Sequence, residues 1–289
     1  MITTLFRFAA RLPLPLMHAL GATLGWLAWA SSSTYRQRTR THVAQAGLTM
    51  AEARGTIGHS GRMIAELPYL WLRPQHEQLG ARVQWQGREL VDAALARGKG
   101  LIIVTPHLGA FEAIAQSYAE HWGAEHPMTA LYRPARKPWL QELVAGSRNR
   151  PGLLTAPANL AGVRLMIRSL KQGDCVGLLP DQVPPEGMGA WAPFFGQPAY
   201  TMTLAARLAR QTGAALGLIW CERLPRGGGF AVHMAPVAEP LPADDETAAA
   251  AVINRSMEQV IRALPTQYLW GYNRYKSPRR PKPGHEGEP

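Results

Sequence analysis

Cysteine is scarce. Cys175 and Cys221 are the two thiols in 289 residues, too few for a four-thiolate zinc site or a disulfide framework, and their spacing carries no redox motif. Both read as core thiols. Acidic residues are also in short supply, with 20 Asp and Glu against 31 Lys and Arg and a formal charge of +11. That surplus favours nucleic acid, anionic lipid or an acidic protein as partner. Aromatic and basic residues do not gather into a known nucleic-acid motif, so nucleic acid is set aside. No Gly-x-Ser-x-Gly elbow occurs, which leaves a serine nucleophile of the α/β-hydrolase type without support. His121 and His126 have no third ligand near them in sequence, and no metal site is expected. Internal repeats and long linkers are missing too. What remains is a globular composition, 46% hydrophobic and 18% charged, in a length that suits one large domain with a small appendage.

The first feature that stands out positively is residues 12–30, LPLPLMHALGATLGWLAWA, a stretch without formal charge. Arg7 and Arg11 precede it, and Arg36, Arg38 and Arg40 follow. A helix from Pro15 to Ser31 is about 24 Å long at ~1.5 Å per residue, a little short of a roughly 30 Å hydrocarbon core. It reads as a retained membrane anchor, spanning with bilayer thinning or lying in the interface. A cleaved signal peptide and a buried core helix are the alternatives; bulky Trp26 and Trp29 argue against the first. Gly21-x-x-x-Gly25 permits close helix approach, although this spacing is weak evidence of dimerisation in a Gly-rich chain.

Residues 36–80 read as helices, with Met63, Leu67, Leu70 and Trp71 stacked on one face and Pro68 kinking or ending one of them. After Gly98 the run GLIIVTP is apolar between breakers, the signature of a strand buried on both faces. A helix over 108–122, a strand at Met128–Tyr132 and helices at 138–148 and 159–170 follow. Next come a strand at 175–179, a helix at 201–212, strands at 214–222 and 230–235 around a Gly227–Gly229 turn, and a last helix at 245–264. Such alternation predicts an α/β fold with a mostly parallel central sheet flanked by helices and carrying the N-terminal hydrophobic anchor, with ligands beyond the carboxyl ends of the strands. The expected organisation is an anchor over 1–35, an α/β domain over 36–275 and a basic, frayed tail over 276–289.

His107 follows the apolar run Leu101–Val104, where an open α/β sheet places its site. Glu112 lies five residues further. Five residues along one helix separate two side chains by about 140° and over 7 Å, so the pair meets only if His107 sits in the turn, Gly109 permits a sharp bend and Glu112 lies inside the new helix. Glu112 then fixes the imidazole tautomer and stabilises the imidazolium while His107 takes a proton from a hydroxyl. A capping histidine with a surface glutamate is the structural alternative. Two other strand ends carry polar groups. Arg133 follows the 128–132 strand and suits a phosphate or an oxyanion, or else a surface ion pair. Asp181 and Gln182 follow the 175–179 strand, where Asp181 accepts from Arg133 or from acceptor hydroxyls, or makes an ordinary turn. The apolar segment Trp191–Gly196, with Phe194 and Phe195, reads as a loop that covers the core or lines an acyl-chain slot.

The motifs HLGAFE, YRPARKP, LLPDQ and PFFG, in this order and at these separations, resemble those of the lipid A biosynthesis acyltransferases, a branch of the glycerolipid acyltransferase superfamily. The likeness covers most of the chain and extends to the helix LAARLARQTGAAL and the ending QYLWGYNRYKSPRR. It implies an O-acyltransferase of the bacterial inner membrane, facing the cytoplasm. Such an enzyme moves a fatty acyl group from acyl carrier protein, or coenzyme A, to a hydroxyl of a glycolipid precursor, with the thioester as co-substrate and no other cofactor. It implies His107 and Glu112 as the catalytic H-x4-E/D pair, with Arg133, Asp181 and Gln182 on the substrates; Phe194 and Phe195 are expected there as well, from their apolar segment alone. Acyl carrier protein, anionic membrane lipid and the glycolipid acceptor are the implied partners. The chain departs from the family pattern at Ala110–Phe111 and at Lys137. A membrane-anchored lipid-binding or scaffold protein on the same fold is the competing reading.

Overall fold

The computed structural model describes residues 2–132 and 150–279; Arg133, Lys137 and the helix expected over 138–148 lie outside the described residues. The chain opens with helices α1 (Ile2–Ala9), α2 (Leu14–Ser31), α3 (Ser33–Gln45), α4 (Met50–Ala53), α5 (Thr56–Ala65) and α6 (Leu67–Leu72). It continues through β1 (Val83–Gln86), α7 (Arg88–Ala96), β2 (Leu101–Val104), α8 (Phe111–Trp122), β3 (Met128–Tyr132), β4 (Leu153–Pro157), α9 (Leu160–Lys171) and β5 (Cys175–Leu178). A hairpin of β6 (Gly189–Phe194) and β7 (Gln197–Met202) precedes α10 (Leu204–Thr212), β8 (Ala215–Arg223), β9 (Phe230–Pro236) and α11 (Glu246–Ala263).

Among the described residues the main sheet has seven strands, in the order β1-β9-β8-β2-β5-β3-β4. Its pairs are parallel except β8 with β9, which are antiparallel. The expected mostly parallel sheet flanked by helices is therefore the fold. Its central strand shows why the run LIIV has no polar residue. Leu101 and Ile103 enter a core shared with Val91 and Leu95 of α7 and Ala113 and Ile114 of α8, whereas Ile102 and Val104 enter the opposite core with Met166, Leu208 and Ile253 of α9, α10 and α11. Alternate side chains point to opposite faces, so a strand covered on both sides must be apolar throughout. Both cysteines are buried in the first of these layers, with Leu101 and Ile103, where burial pushes each thiol up.

Three stretches differ from expectation. The short strands β1 and β4 lie at the sheet edges, where half-exposed or Pro-ended sequence gives little signal. The segment read as a loop around Trp191 is the β6–β7 hairpin, closed by a two-residue turn in which Phe195 and Gly196 both have positive φ, +47° and +71°. That turn type favours Asn-Gly; here burial of the Phe195 ring against Trp270 and a hydrogen bond from its N–H to Glu258 Oε1 hold the unusual residue in place.

The N-terminal helix is the third. Among the described residues no helix is long and apolar enough to cross a membrane. Helix α2 instead lies along α5, and its glycines face that helix. A Cβ at Gly21 would run into Gly61 O and Ala65 Cβ, one at Gly25 into Ile57 O, and one at Gly61 into Gly21 O. The Gly21-x-x-x-Gly25 spacing therefore serves a close crossing within the chain. The other face of α2 exposes Leu16, Leu20, Leu24 and Leu27 by 45–60%, and Arg36 closes the helix by donating to the carbonyls of Trp29 and Ala30.

Candidate active site

Strands β2 and β5 are neighbours, and Val104 pairs with Leu178. His107 and Asp181 each lie three residues beyond that pair, so the two chains leave the sheet side by side and bring the residues together. One carboxylate oxygen of Asp181 accepts the backbone N–H of His107 at 2.8 Å, and the other meets the ring Nδ1 at 2.6 Å. Asp181 is fully buried. Burial works against its ionisation, but the adjacent His107 imidazole, the two hydrogen bonds from His107 and the Arg274 guanidinium outweigh it and hold the carboxyl below the usual carboxylate range. The buried Tyr268 phenol is raised well above its ordinary value by burial and by the Asp181 charge, so it stays neutral.

An ionised acceptor at Nδ1 requires the proton there, which leaves the Nε2 lone pair free to accept. Nε2 lies 3.0 Å from the side-chain nitrogen of Gln182, which donates to it. The ring borders a cavity of about 360 Å³, within the range of small-ligand sites. Leu131, Leu153, Val163, Leu179, Met188 and Met202 give the cavity its apolar walls, and His107, Glu112, Gln116 and Gln182 give it polar points.

Glu112 lies in the first turn of α8, as the spacing required, and faces the same cavity as His107. Its carboxylate accepts from Trp71 Nε1 at 3.1 Å. The role of fixing the tautomer, assigned above to Glu112, is taken by Asp181, because the register of β2 against β5 puts that carboxylate on Nδ1. The bend that separates the two motif residues depends on Gly109, whose φ is +59° and whose Cβ would strike Cys221 O. Phe194 and Phe195 do not line the cavity: Phe194 packs beneath the Arg274 guanidinium, and Phe195 lies beneath that of Arg262, both within the core. Arg133 lies outside the described residues. No group of three His, Cys, Asp or Glu side chains among the described residues is placed to hold a metal ion.

Sequence reasoning missed Trp71 and Gln116 as cavity residues. Trp71 gave only a helix-face signal, and Gln116 gave none, although its side chain is held between Leu70 O and the Arg73 guanidinium.

An imidazole with a fixed tautomer at the mouth of an apolar cavity, in an H-x4-E motif, fits acyl transfer to a hydroxyl. A profile of bacterial lipid A biosynthesis acyltransferases matches residues 2–277. The chain belongs to that family. It is similar to the lipid A biosynthesis lauroyltransferase of Escherichia coli (strain K12), with 26% identity over 274 residues, covering 92% of this chain and 87% of the relative. The palmitoleoyltransferase of the same organism is 26% identical over 284 residues with the same coverage. A lipid A biosynthesis acyltransferase of Haemophilus influenzae is 25% identical over 195 residues, 67% of this chain and 59% of the relative. Membership of the lipid A acyltransferase family makes this chain an O-acyltransferase.

Proposed function

We propose that the protein transfers a fatty acyl group from a thioester, carried by acyl carrier protein, to a hydroxyl of a lipid A precursor, with His107 as general base. The observation that carries this reading is the Asp181–His107 contact, which presents a basic Nε2 to an apolar cavity. The acceptor hydroxyl replaces the Gln182 amide at Nε2. His107 removes its proton as the oxygen attacks the thioester carbonyl, and the tetrahedral intermediate expels the thiolate, which takes the proton back from the imidazolium. No acyl-enzyme is needed. Asp181 holds the ring and stabilises its cation, and Glu112 adds negative charge on the same cavity. Arg133 is assigned to the oxyanion or to an acceptor phosphate, and the apolar walls take the acyl chain.

The exposed leucines of α2 recur at helical spacing on one face, and Arg36, Arg40 and Arg54 lie close to that helix, the last two over Trp29 and Trp26. This combination suits the anionic cytoplasmic face of the inner membrane, and the charge of +11 suits acidic acyl carrier protein.

Membranes containing the enzyme, incubated with labelled acyl-carrier-protein thioesters of graded length, should pass label to a lipid whose mass identifies acceptor and chain. His107→Ala should lower turnover by about 10²- to 10⁴-fold without loss of folding. Full activity in the His107→Ala protein would end the reading.

A further inference from the structure

Buried charge also lies behind the catalytic turn, on the side away from the cavity. Arg223 is the last residue of β8, and only 2% of its surface is exposed. Strand β8 pairs with β2 up to Leu218, opposite Val104, and then continues past the end of that neighbour, paired on its other edge with β9 as far as Arg223. The turn that carries His107 toward Glu112 is moulded on this extension. Ala110 N–H donates to Cys221 O at 2.8 Å, Gly109 N–H to Gln267 O at 3.0 Å, and Leu269 N–H to His107 O at 3.1 Å. The Gln267 side chain in turn pairs with both the N–H and the carbonyl of Arg223.

The Arg223 guanidinium completes this mould. Nη2 donates to Gly109 O at 2.7 Å and to Glu66 Oε1 at 2.7 Å, and Nε donates to Glu66 Oε2 at 2.7 Å. Nη1 meets His59 Nδ1 at 3.2 Å. His59 is pushed down to about 3, first by burial and then by Arg223, Arg62 and His18, so it stays neutral and accepts. On the far side of Glu66, His18 Nε2 lies 3.0 Å from Oε2. Glu66, which follows the last residue of α5, is 1% exposed, and His18 on α2 is 5% exposed. A continuous set of polar contacts therefore runs from α2 through Glu66 and Arg223 to the peptide carbonyl between His107 and Glu112. Only an arginine can make these contacts together, because its planar fork grips the carboxylate with two nitrogens and still has a hydrogen for the carbonyl.

We infer that Arg223 is a positioning residue for acyl transfer, one that with Glu66 and His18 fixes the Gly109 carbonyl and so sets the His107–Glu112 turn relative to α2. The inference rests on the reading of His107 as base. It predicts a defect in turnover rather than in binding, since Arg223 lies behind the turn and does not line the cavity. A misplacement of the reacting groups on the order of 1 Å costs about 10²-fold in rate.

The test uses the full chain in membranes and three variants. Arg223→Lys keeps the charge opposite Glu66 but gives up the fork. The double variant Glu66→Met with Arg223→Met removes both charges together, which avoids stranding one of them in the core. His107→Ala reports on the base itself. Arg223→Lys and the double variant are each expected to retain a cooperative unfolding transition, to keep KM for the thioester within about threefold, and to lose about 10- to 100-fold in kcat. A wild-type kcat in either folded variant, with His107→Ala inactive, overturns the positioning role and leaves the base intact. Full activity in His107→Ala overturns the base reading instead. If the double variant does not fold, Arg223→Lys decides alone, and a loss confined to KM counts against the inference.

Discussion

Replacing Asp181 by asparagine changes no volume, yet the geometry makes it a severe perturbation. The carboxylate accepts two hydrogen bonds from one residue, the backbone N–H of His107 at 2.8 Å and the ring Nδ1–H at 2.6 Å. An amide has one acceptor atom. The backbone N–H can only donate, so the amide oxygen must face it, and the amide nitrogen then faces Nδ1. For that contact to be a hydrogen bond, Nδ1 must accept and the ring proton must move to Nε2. The lone pair that should take the hydroxyl proton is then gone, and Nε2–H points at the donor nitrogen of Gln182, 3.0 Å away. The opposite amide orientation leaves a buried donor facing a donor, which costs about 1–3 kcal/mol. Either way the base is lost or the turn is strained, and the expected fall in kcat is about 10²- to 10⁴-fold. The informative comparison is with Asp181→Ala, which abolishes the contact but imposes no wrong tautomer. If the argument holds, Asp181→Asn is at least as impaired as Asp181→Ala although it is the closer isostere, and raising the pH does not restore it. The assay is kcat and kcat/KM for acyl transfer between pH 6 and 9, on variants with checked unfolding midpoints. Asparagine activity above about a tenth of wild type, or clearly above that of the alanine variant, would refute the tautomer argument, because the general-base term at stake is ~10²-fold or more.

The α2–α5 crossing and the buried His59 each bear on stability. Gly61→Ala should lower stability by about 1–3 kcal/mol by overpacking, because its Cβ would meet Gly21 O and Gly25 N on α2; an unchanged unfolding midpoint would mean that α2 is not seated on α5. His59 bears on acid sensitivity. Its value falls from 6.5 in the unfolded chain to about 3 in the folded one, so below pH 6.5 the unfolded chain binds a proton that the folded chain refuses. The stability present above 6.5 is therefore lost as the pH falls, by about 2 kcal/mol between pH 7 and pH 5. His59→Gln should flatten this part of the pH dependence measured by urea denaturation, and an identical slope in both proteins would contradict it.

How far the site was legible depended on whether a feature is local. The strand Leu101–Val104 could be read because it is continuously apolar between Gly100 and Pro106, and the rule that ligands gather beyond strand ends then pointed to His107. Glu112 followed from the turn geometry, and Gly109 from the need for a bend. Asp181 was visible as a polar residue at another strand end, but its partner was not, since pairing it with His107 requires knowing that β2 and β5 are adjacent and that Val104 faces Leu178. Sequence alone offers no register for a parallel pair whose members are separated, among the described residues, by two helices and two other strands. The same limit hid the partner of Gly21 and Gly25: the spacing announced a close helix approach, and the surface it approaches lies on α5.

Phe194 and Phe195 show the converse, a local pattern that misleads. Two phenylalanines in an apolar stretch suggest a chain-binding wall as readily as a core. A hairpin turn with Phe at positive φ is outside the usual turn chemistry, so nothing in the sequence signalled that the segment folds back as β6 and β7, the fold that selects the core reading by turning both rings inward. The buried charges are the extreme case. Arg223 and Glu66 are separated by 157 residues and Glu66 and His18 by 48, and each reads singly as a surface residue, because charged side chains are rarely buried unless paired. The fold makes them worth burying. The β8 extension that supports the catalytic turn ends under the α2–α5 crossing, and the carbonyl of Gly109, pointing inward there, requires a donor that water cannot supply. An arginine meets that need only if a carboxylate accompanies it, and the end of α5 provides one. The polar contacts behind the turn are thus a consequence of seating α2 against the domain next to the site, and they tie the placement of His107 to the helix that carries the exposed leucines.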